Sequence, residues 1–183
     1  MLYRFIIVSD EVDEFRRDII IDSDATFFEL HETLLDSVKY AKDQITSFFI
    51  CNEDWEKGTE ITLIDMGSGF DEDIYVMENT RLSYLLDEEK QKLVYVFEPL
   101  TERCFFVELR EIITGETQDK AQVTKSIGNP PAQVTKPDEL DLMAAKVTSA
   151  TEFEDDDLYG EFSDEDFDEE DLANFSEDNP YDY

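Results

Sequence analysis

Acidic residues are spread unevenly along this 183-residue chain, and their distribution limits where a core can form. Residues 1–113 carry 27 acidic and 11 basic side chains, net −16. Residues 114–137 are nearly neutral, with 2 acidic and 3 basic, whereas residues 138–183 carry 19 acidic and one basic, Lys146, net −18. More than half of the formal charge of −33 thus falls in the last quarter of the chain. From Glu152 onward the sequence is almost entirely acids and aromatics: sixteen acids around Phe153, Tyr159, Phe162, Phe167, Phe175, Tyr181 and Tyr183. Like charge at that density opposes collapse, so 138–183 reads as a disordered acidic-aromatic tail. Folding is assigned to 1–113, whose aliphatics suffice for one small core burying roughly 65% of its unfolded surface.

Within 1–113 the pattern alternates between two periods. Leu2–Val8 is a compact apolar run and Phe15–Asp22 alternates, so together they predict a hairpin. In Ser23–Ala41, Phe27, Leu30, Leu34, Leu35, Val38 and Ala41 recur at three- and four-residue steps, the signature of an amphipathic helix. Thr26 and Glu29 form a capping-box pair at its start. Ile45–Cys51, Glu60–Asp65, Leu93–Phe97 and Cys104–Ile113 read as further strands. Asn79 or Thr80 caps a short helical turn over Arg81–Leu86, and Pro99 lies in the turn between the last two strands. The order ββαββαββ predicts an α+β fold of the β-grasp (ubiquitin-like) kind, its sheet packed on one main helix.

Residues 114–137 hold three prolines and no apolar period, and they are expected to be a flexible linker. They contain a short exact repeat, Ala-Gln-Val-Thr-Lys, at 121–125 and again at 132–136. A docking role for it is set against chance matching in a biased segment.

Chemistry-bearing constellations are few. His31, the only histidine, sits on the apolar side of the helix and is expected to be a packed, hydrogen-bonded residue rather than a base or metal ligand. Asp71-Glu72-Asp73 after Gly67-Ser68-Gly69 reads as a solvated loop. The tail stretch Asp155–Asp166 overlaps a calcium-loop template but fails at Tyr159 and ends in Asp. Neither a metal site nor a catalytic set is assigned, and no cofactor motif is present: Gly67-x-Gly69 lacks the lysine and helix of a phosphate loop. Arg16-Arg17 is the sole adjacent basic pair in a net-negative domain, so phosphate repulsion disfavours direct nucleic-acid binding. Cys51 and Cys104 are expected to be reduced and buried, and the longest apolar run, Leu93–Phe97, is too short for a membrane span. These features point to a cytoplasmic protein.

Several stretches resemble one family. Thr26-Phe-Phe-Glu-Leu-His31-Glu, the strand Phe48-Phe49-Ile50, the Phe15-Arg16-Arg17 entry to the second strand and Leu82-Ser83-Tyr84-Leu85-Leu86 are similar to the plasmid open-reading-frame-three-like family. That group is named after an open reading frame of a root-inducing plasmid. The resemblance covers about residues 1–113 and implies a small α+β protein, mostly of unknown activity, some members lying beside mobile elements. Such proteins usually follow a late Tyr-x-Tyr strand with Asp-Phe-Gly-Asp-x-Trp. Here Tyr95-Val96-Phe97 runs instead into Glu98-Pro99-Leu100-Thr101-Glu102-Arg103, where only Glu98 stands in place of an acid. The expectation is a divergent branch with an acidic tail.

The functional expectation is a non-catalytic binding or adaptor protein. Charge in the tail would steer a basic protein partner, and Phe153, Tyr159, Phe162, Phe167 and Phe175 would anchor it, in the manner of a nucleic-acid mimic. The alternatives are a tail that only solubilises, a carboxylate- or metal-dependent enzyme, and an accessory factor of a mobile element.

Overall fold

The computed structural model describes residues 1–65 and 75–135. β1 (Leu2–Val8) and β2 (Arg16–Asp22) form the expected hairpin, from Leu2↔Asp22 to Val8↔Arg16. α1 (Phe27–Val38) follows within the predicted stretch. Its first turn is closed by the capping box: the Glu29 amide donates to Thr26 Oγ1 and the Thr26 amide to Glu29 Oε2. The helix stops at Lys39, whose backbone turns left-handed at φ 59° while its amide still reaches the last turn.

β3 (Ser47–Cys51), β4 (Lys57–Thr62), β5 (Tyr75–Val76), α2 (Leu82–Leu85), β6 (Lys92–Glu98), a 3-10 turn at Pro99–Thr101, β7 (Arg103–Ile113) and β8 (Gln122–Ile127) complete the chain's order. The strands join in one eight-stranded sheet, β5-β4-β3-β6-β7-β1-β2-β8. Every neighbouring pair is antiparallel except β4 with β5. The architecture is therefore mixed α+β. Its observed order is ββαβββαβββ, two strands longer than expected.

One face of this sheet receives the apolar stripe of α1: Phe27, Leu30, Leu34, Leu35 and Val38 are buried. Beneath them the aromatic core is continuous. Phe27 meets Phe48 at 5.6 Å between ring centroids, Phe48 meets Tyr95 at 4.7 Å, and Phe97 meets Phe105 at 4.8 Å. Such offset or tilted pairs add to what burial of the rings already contributes. α2 is capped differently from expectation. Arg81 is its N-cap, while the Thr80 hydroxyl donates back to the Val76 carbonyl and the Thr80 carbonyl accepts the Phe27 amide.

The largest correction concerns the expected linker over 114–137. β8 lies inside it and pairs with β2 from Arg16↔Ile127 to Ile20↔Gln122. Beyond β8, Pro131 and Thr135 are buried. Among the described residues the compact unit therefore extends to Thr135 rather than ending at Ile113. The cause is that β8 is held through its backbone. All six of its side chains are exposed, so it has no apolar period to reveal it. Gly128 ends the strand with φ +64°, and a Cβ there would lie 2.9 Å from the Glu14 carbonyl oxygen. Residues 66–74 and 136–183, which include the expected loop over Met66–Asp73 and the expected tail over 138–183, lie outside the described residues.

Gly128→Ala should therefore destabilise the domain by about 1–2 kcal/mol in urea titration, through strain and contact together. In native hydrogen exchange, the β8 amides bonded to β2 should exchange well below the rate at Glu116. Equal rates would mean that β8 is not paired in solution.

Candidate functional site

The densest polar constellation among the described residues forms where the β1–β2 turn, the end of β6, the start of β7 and the strap 129–135 meet. Arg103 is at its centre, with its side chain 15% exposed. Its Nε and Nη2 donate to the two carboxylate oxygens of Glu11 at 2.8 and 2.7 Å. Nη1 donates to Glu98 Oε2 at 3.0 Å and to Thr135 Oγ1 at 3.2 Å, and Nη2 also reaches the Ala132 carbonyl at 2.7 Å. The guanidinium lies over the Phe97 ring, 5.1 Å from its centroid.

Glu98 completes the clamp on the strap. It accepts from the Thr135 amide at 2.8 Å, from Thr135 Oγ1 at 2.6 Å and from Thr101 Oγ1 at 2.7 Å. Two further contacts extend the grip along the strap. Tyr40 Oη donates to the Pro131 carbonyl at 2.7 Å. The Gln133 side chain pairs with the Ala41 backbone in both directions, donating and accepting at 2.8 Å. The strap is thus read by position: two carbonyls, one side-chain amide, and one threonine through both its amide and its hydroxyl.

Electrostatics follow this geometry. Partial burial works to raise the Glu98 pKa, but donors from Thr135, Thr101 and Arg103 outweigh it and hold the carboxyl at about 2. The bond to Glu11 raises Arg103 further above its ordinary range, against desolvation, with Glu98 adding to it. Burial raises the Tyr40 hydroxyl too. Saturated with donors and that weakly basic, Glu98 is built to hold hydrogen-bond donors rather than to move protons.

Elsewhere the histidine is committed to the core, whereas the two thiols, expected to be buried, are half-buried. His31 is 2% exposed, its Nδ1 lies 2.8 Å from Tyr95 Oη, and Thr46 Oγ1 is 3.4 Å away. Burial lowers its pKa to about 4. This is the packed, hydrogen-bonded role expected of it. Cys51 and Cys104 are free thiols, both raised by burial, Cys104 to about 11. Arg16 chelates Asp18 through two hydrogen bonds. Arg17 is buried against the carbonyls of Ser37, Ile127 and Gly128, so this pair presents no free basic patch. No metal-ligating cluster occurs among the described residues. Phe153, Tyr159, Phe162, Phe167 and Phe175, expected to anchor a partner, lie outside the described residues, as do Gly67, Gly69, Asp71-Glu72-Asp73 and Asp155–Asp166.

Sequence reasoning reached Glu98 through the family's missing acidic segment, but it missed Glu11, Tyr40, Arg103 and Thr135. The exact repeat was the available signal, since its second copy supplies Ala132, Gln133 and Thr135.

Two pH effects follow. His31 is held below its ordinary pKa of 6.5, so the unfolded chain binds a proton first as pH falls. Stability should drop between pH 6.5 and about 4, by up to about 3 kcal/mol, and His31→Gln should remove that slope in urea titrations at stepped pH. Glu98 is likewise depressed, so its contribution is complete above pH 4.5 and disappears as pH falls toward about 2. At pH 7, Glu98→Gln should accelerate exchange of the Thr135 amide while leaving the β6 amides protected.

Comparison with known proteins adds a family and a fold. Residues 4–175 match the family model described as plasmid pRiA4b ORF-3-like protein. No curated protein matches significantly. Among solved structures, the crystal structure of a protein of unknown function from Methanosarcina mazei Go1 is similar, with TM-score 0.51 and 14% identity, covering 68% of each chain. At that identity the likeness is one of fold alone. The clamp residues all fall within the matched span, and the chain belongs to the plasmid pRiA4b ORF-3-like family.

Proposed function

We propose that the protein is a non-catalytic binding protein: a scaffold domain carrying an acidic-aromatic tract that captures a basic protein. The observation that carries this reading is the composition of 152–183, seven aromatics returning among sixteen acids. Charge alone would serve solubility, and solubility does not call for aromatics presented to water. A basic surface would be steered by the acids and anchored by Phe153, Tyr159, Phe162, Phe167 and Phe175. The domain supports the reading because its histidine is engaged in packing and Glu98 in holding the strap. Two free thiols raised by burial support a reducing, cytoplasmic setting. We also read the β1–β2 hairpin crossed by α1 as β-grasp-like, an analogy that assigns no activity by itself.

The test uses immobilised full chain in cell extract, with two variants. Replacing Phe153, Phe162, Phe167 and Phe175 by Ser keeps every charge, whereas converting the acids of 154–171 to amides keeps every aromatic. Both variants should lose the captured basic proteins, and native capture should weaken toward ~0.5 M salt as screening shortens to several ångströms. Equal capture by the Ser variant would make the aromatics incidental. Capture no greater than that of a chain ending at Glu139 would reduce the tract to a solubilising one.

A further inference from the structure

The two copies of Ala-Gln-Val-Thr-Lys occupy different settings. The first, 121–125, runs into β8, where Gln122 to Ile127 are all exposed. Its one side-chain hydrogen bond is from Thr124 Oγ1 to the Asp18 carbonyl, at 3.3 Å. The edge of the sheet needs only a backbone there, so β8 itself does not account for Gln122 or Thr124. The second copy, by contrast, is gripped through the very side chains that repeat. Gln133 pairs with the backbone of Ala41, and Thr135 is bound by Glu98 and Arg103.

Each clamp contact has a counterpart in the first copy. The side chains of Gln133 and Thr135 correspond to Gln122 and Thr124. The carbonyls of Pro131 and Ala132 correspond to those of Lys120 and Ala121, and a carbonyl is supplied by any residue. Val134 is 56% exposed and is not read. Only the buried ring of Pro131 has no equivalent, since Lys120 stands in its place.

We infer that the Tyr40–Arg103–Glu98 clamp is a peptide-binding site that reads Gln-x-Thr in a backbone that bends at the glutamine, as the strap does at Gln133 and Val134. Its second ligand is the 121–125 copy presented by another molecule of this chain. The chain carries two ligand sequences for one clamp. The copy outside the clamp lies on an edge strand, an element bonded to the sheet along one side only. The resident strap competes from a tether, at an effective concentration in the millimolar range, so exchange in trans requires the strap to leave. The inference is independent of the tail's proposed role, because every residue it uses lies within 1–135.

The test is fluorescence anisotropy with a labelled synthetic peptide of residues 117–127. The receptor is the full chain with Gln133→Ala and Thr135→Val, which removes the strap's two side-chain contacts, weakens its hold on the clamp and leaves the clamp walls intact. The peptide should bind this variant at least tenfold more tightly than it binds the native chain. A peptide carrying Gln122→Ala and Thr124→Val should lose at least tenfold on the same receptor. Adding Glu98→Gln to this receptor should weaken binding about tenfold, the loss of roughly one charge-assisted hydrogen bond. Native chain provides a second readout that needs no altered receptor: excess peptide should speed exchange of the Thr135 amide by displacing the strap. Equal binding of the two peptides, or none at ~1 mM with Thr135 exchange unchanged, would overturn the proposal and leave the strap a fixed tie.

Discussion

Arg103 places one positive charge between two carboxylates, Glu11 and Glu98, in a corner where its own side chain is 15% and that of Glu98 13% exposed. Two acids and one base leave a net negative corner in an already acidic chain. Neutral donors compensate: the Thr135 amide and the hydroxyls of Thr101 and Thr135 all point at Glu98. A partly buried pair of this kind contributes little on its own, because desolvation offsets much of the attraction. Its weight lies in what removal of either partner would leave behind, a desolvated charge with no counter-ion. The corner thereby fixes the β1–β2 turn, the β6–β7 connection and the strap to one another.

A second arginine repeats the device just ahead of the strap, at the end of β8. Arg17, 4% exposed, donates to the carbonyls of Ile127 and Gly128 and to Ser37 near the end of α1, while lying 4.6 Å from the centroid of Phe15. Between them the two guanidiniums take three carbonyls of the segment that follows β7. Arginine suits both places, since it stays charged when desolvated and spreads its donors in a planar fork. An acidic protein short of basic residues thus spends two of its few on holding backbone.

How much of this was legible follows from where each signal resides. α1 could be read because its stripe, its capping box and its position after a hairpin agree, and β1, β2, β3, β6 and β7 because buried strands need β-branched and aromatic residues. Lys57–Thr59 was missed as the start of β4, since every one of those residues is exposed. β8 and the strap escaped for the same reason: their attachment runs through main-chain groups, Gln133 and Thr135, and periodicity records only apolar side chains. Glu98 was visible as a departure from a family pattern. Glu11, which shares Arg103 with it, lies 87 residues upstream, and its partner Thr135 lies 37 downstream in the numbering. That proximity is created by the sheet order, in which β7 runs between β6 and β1.

The edges of the sheet give β8 a further meaning. A long exposed strand edge is a template for pairing with other chains. On one side the sheet ends in β5, two residues long and too short to recruit a partner. On the other, β2 would present a seven-residue edge rich in isoleucine, including Ile19, Ile20 and Ile21. β8 covers it with a strand whose exposed side chains are mostly polar, Gln, Thr, Lys and Ser beside Val123 and Ile127, and whose far end is closed off by Gly128. The polar segment that resembles a linker is, in this light, a guard strand, and a chain trimmed at Ile113 would keep the core residues while uncovering its most adhesive edge.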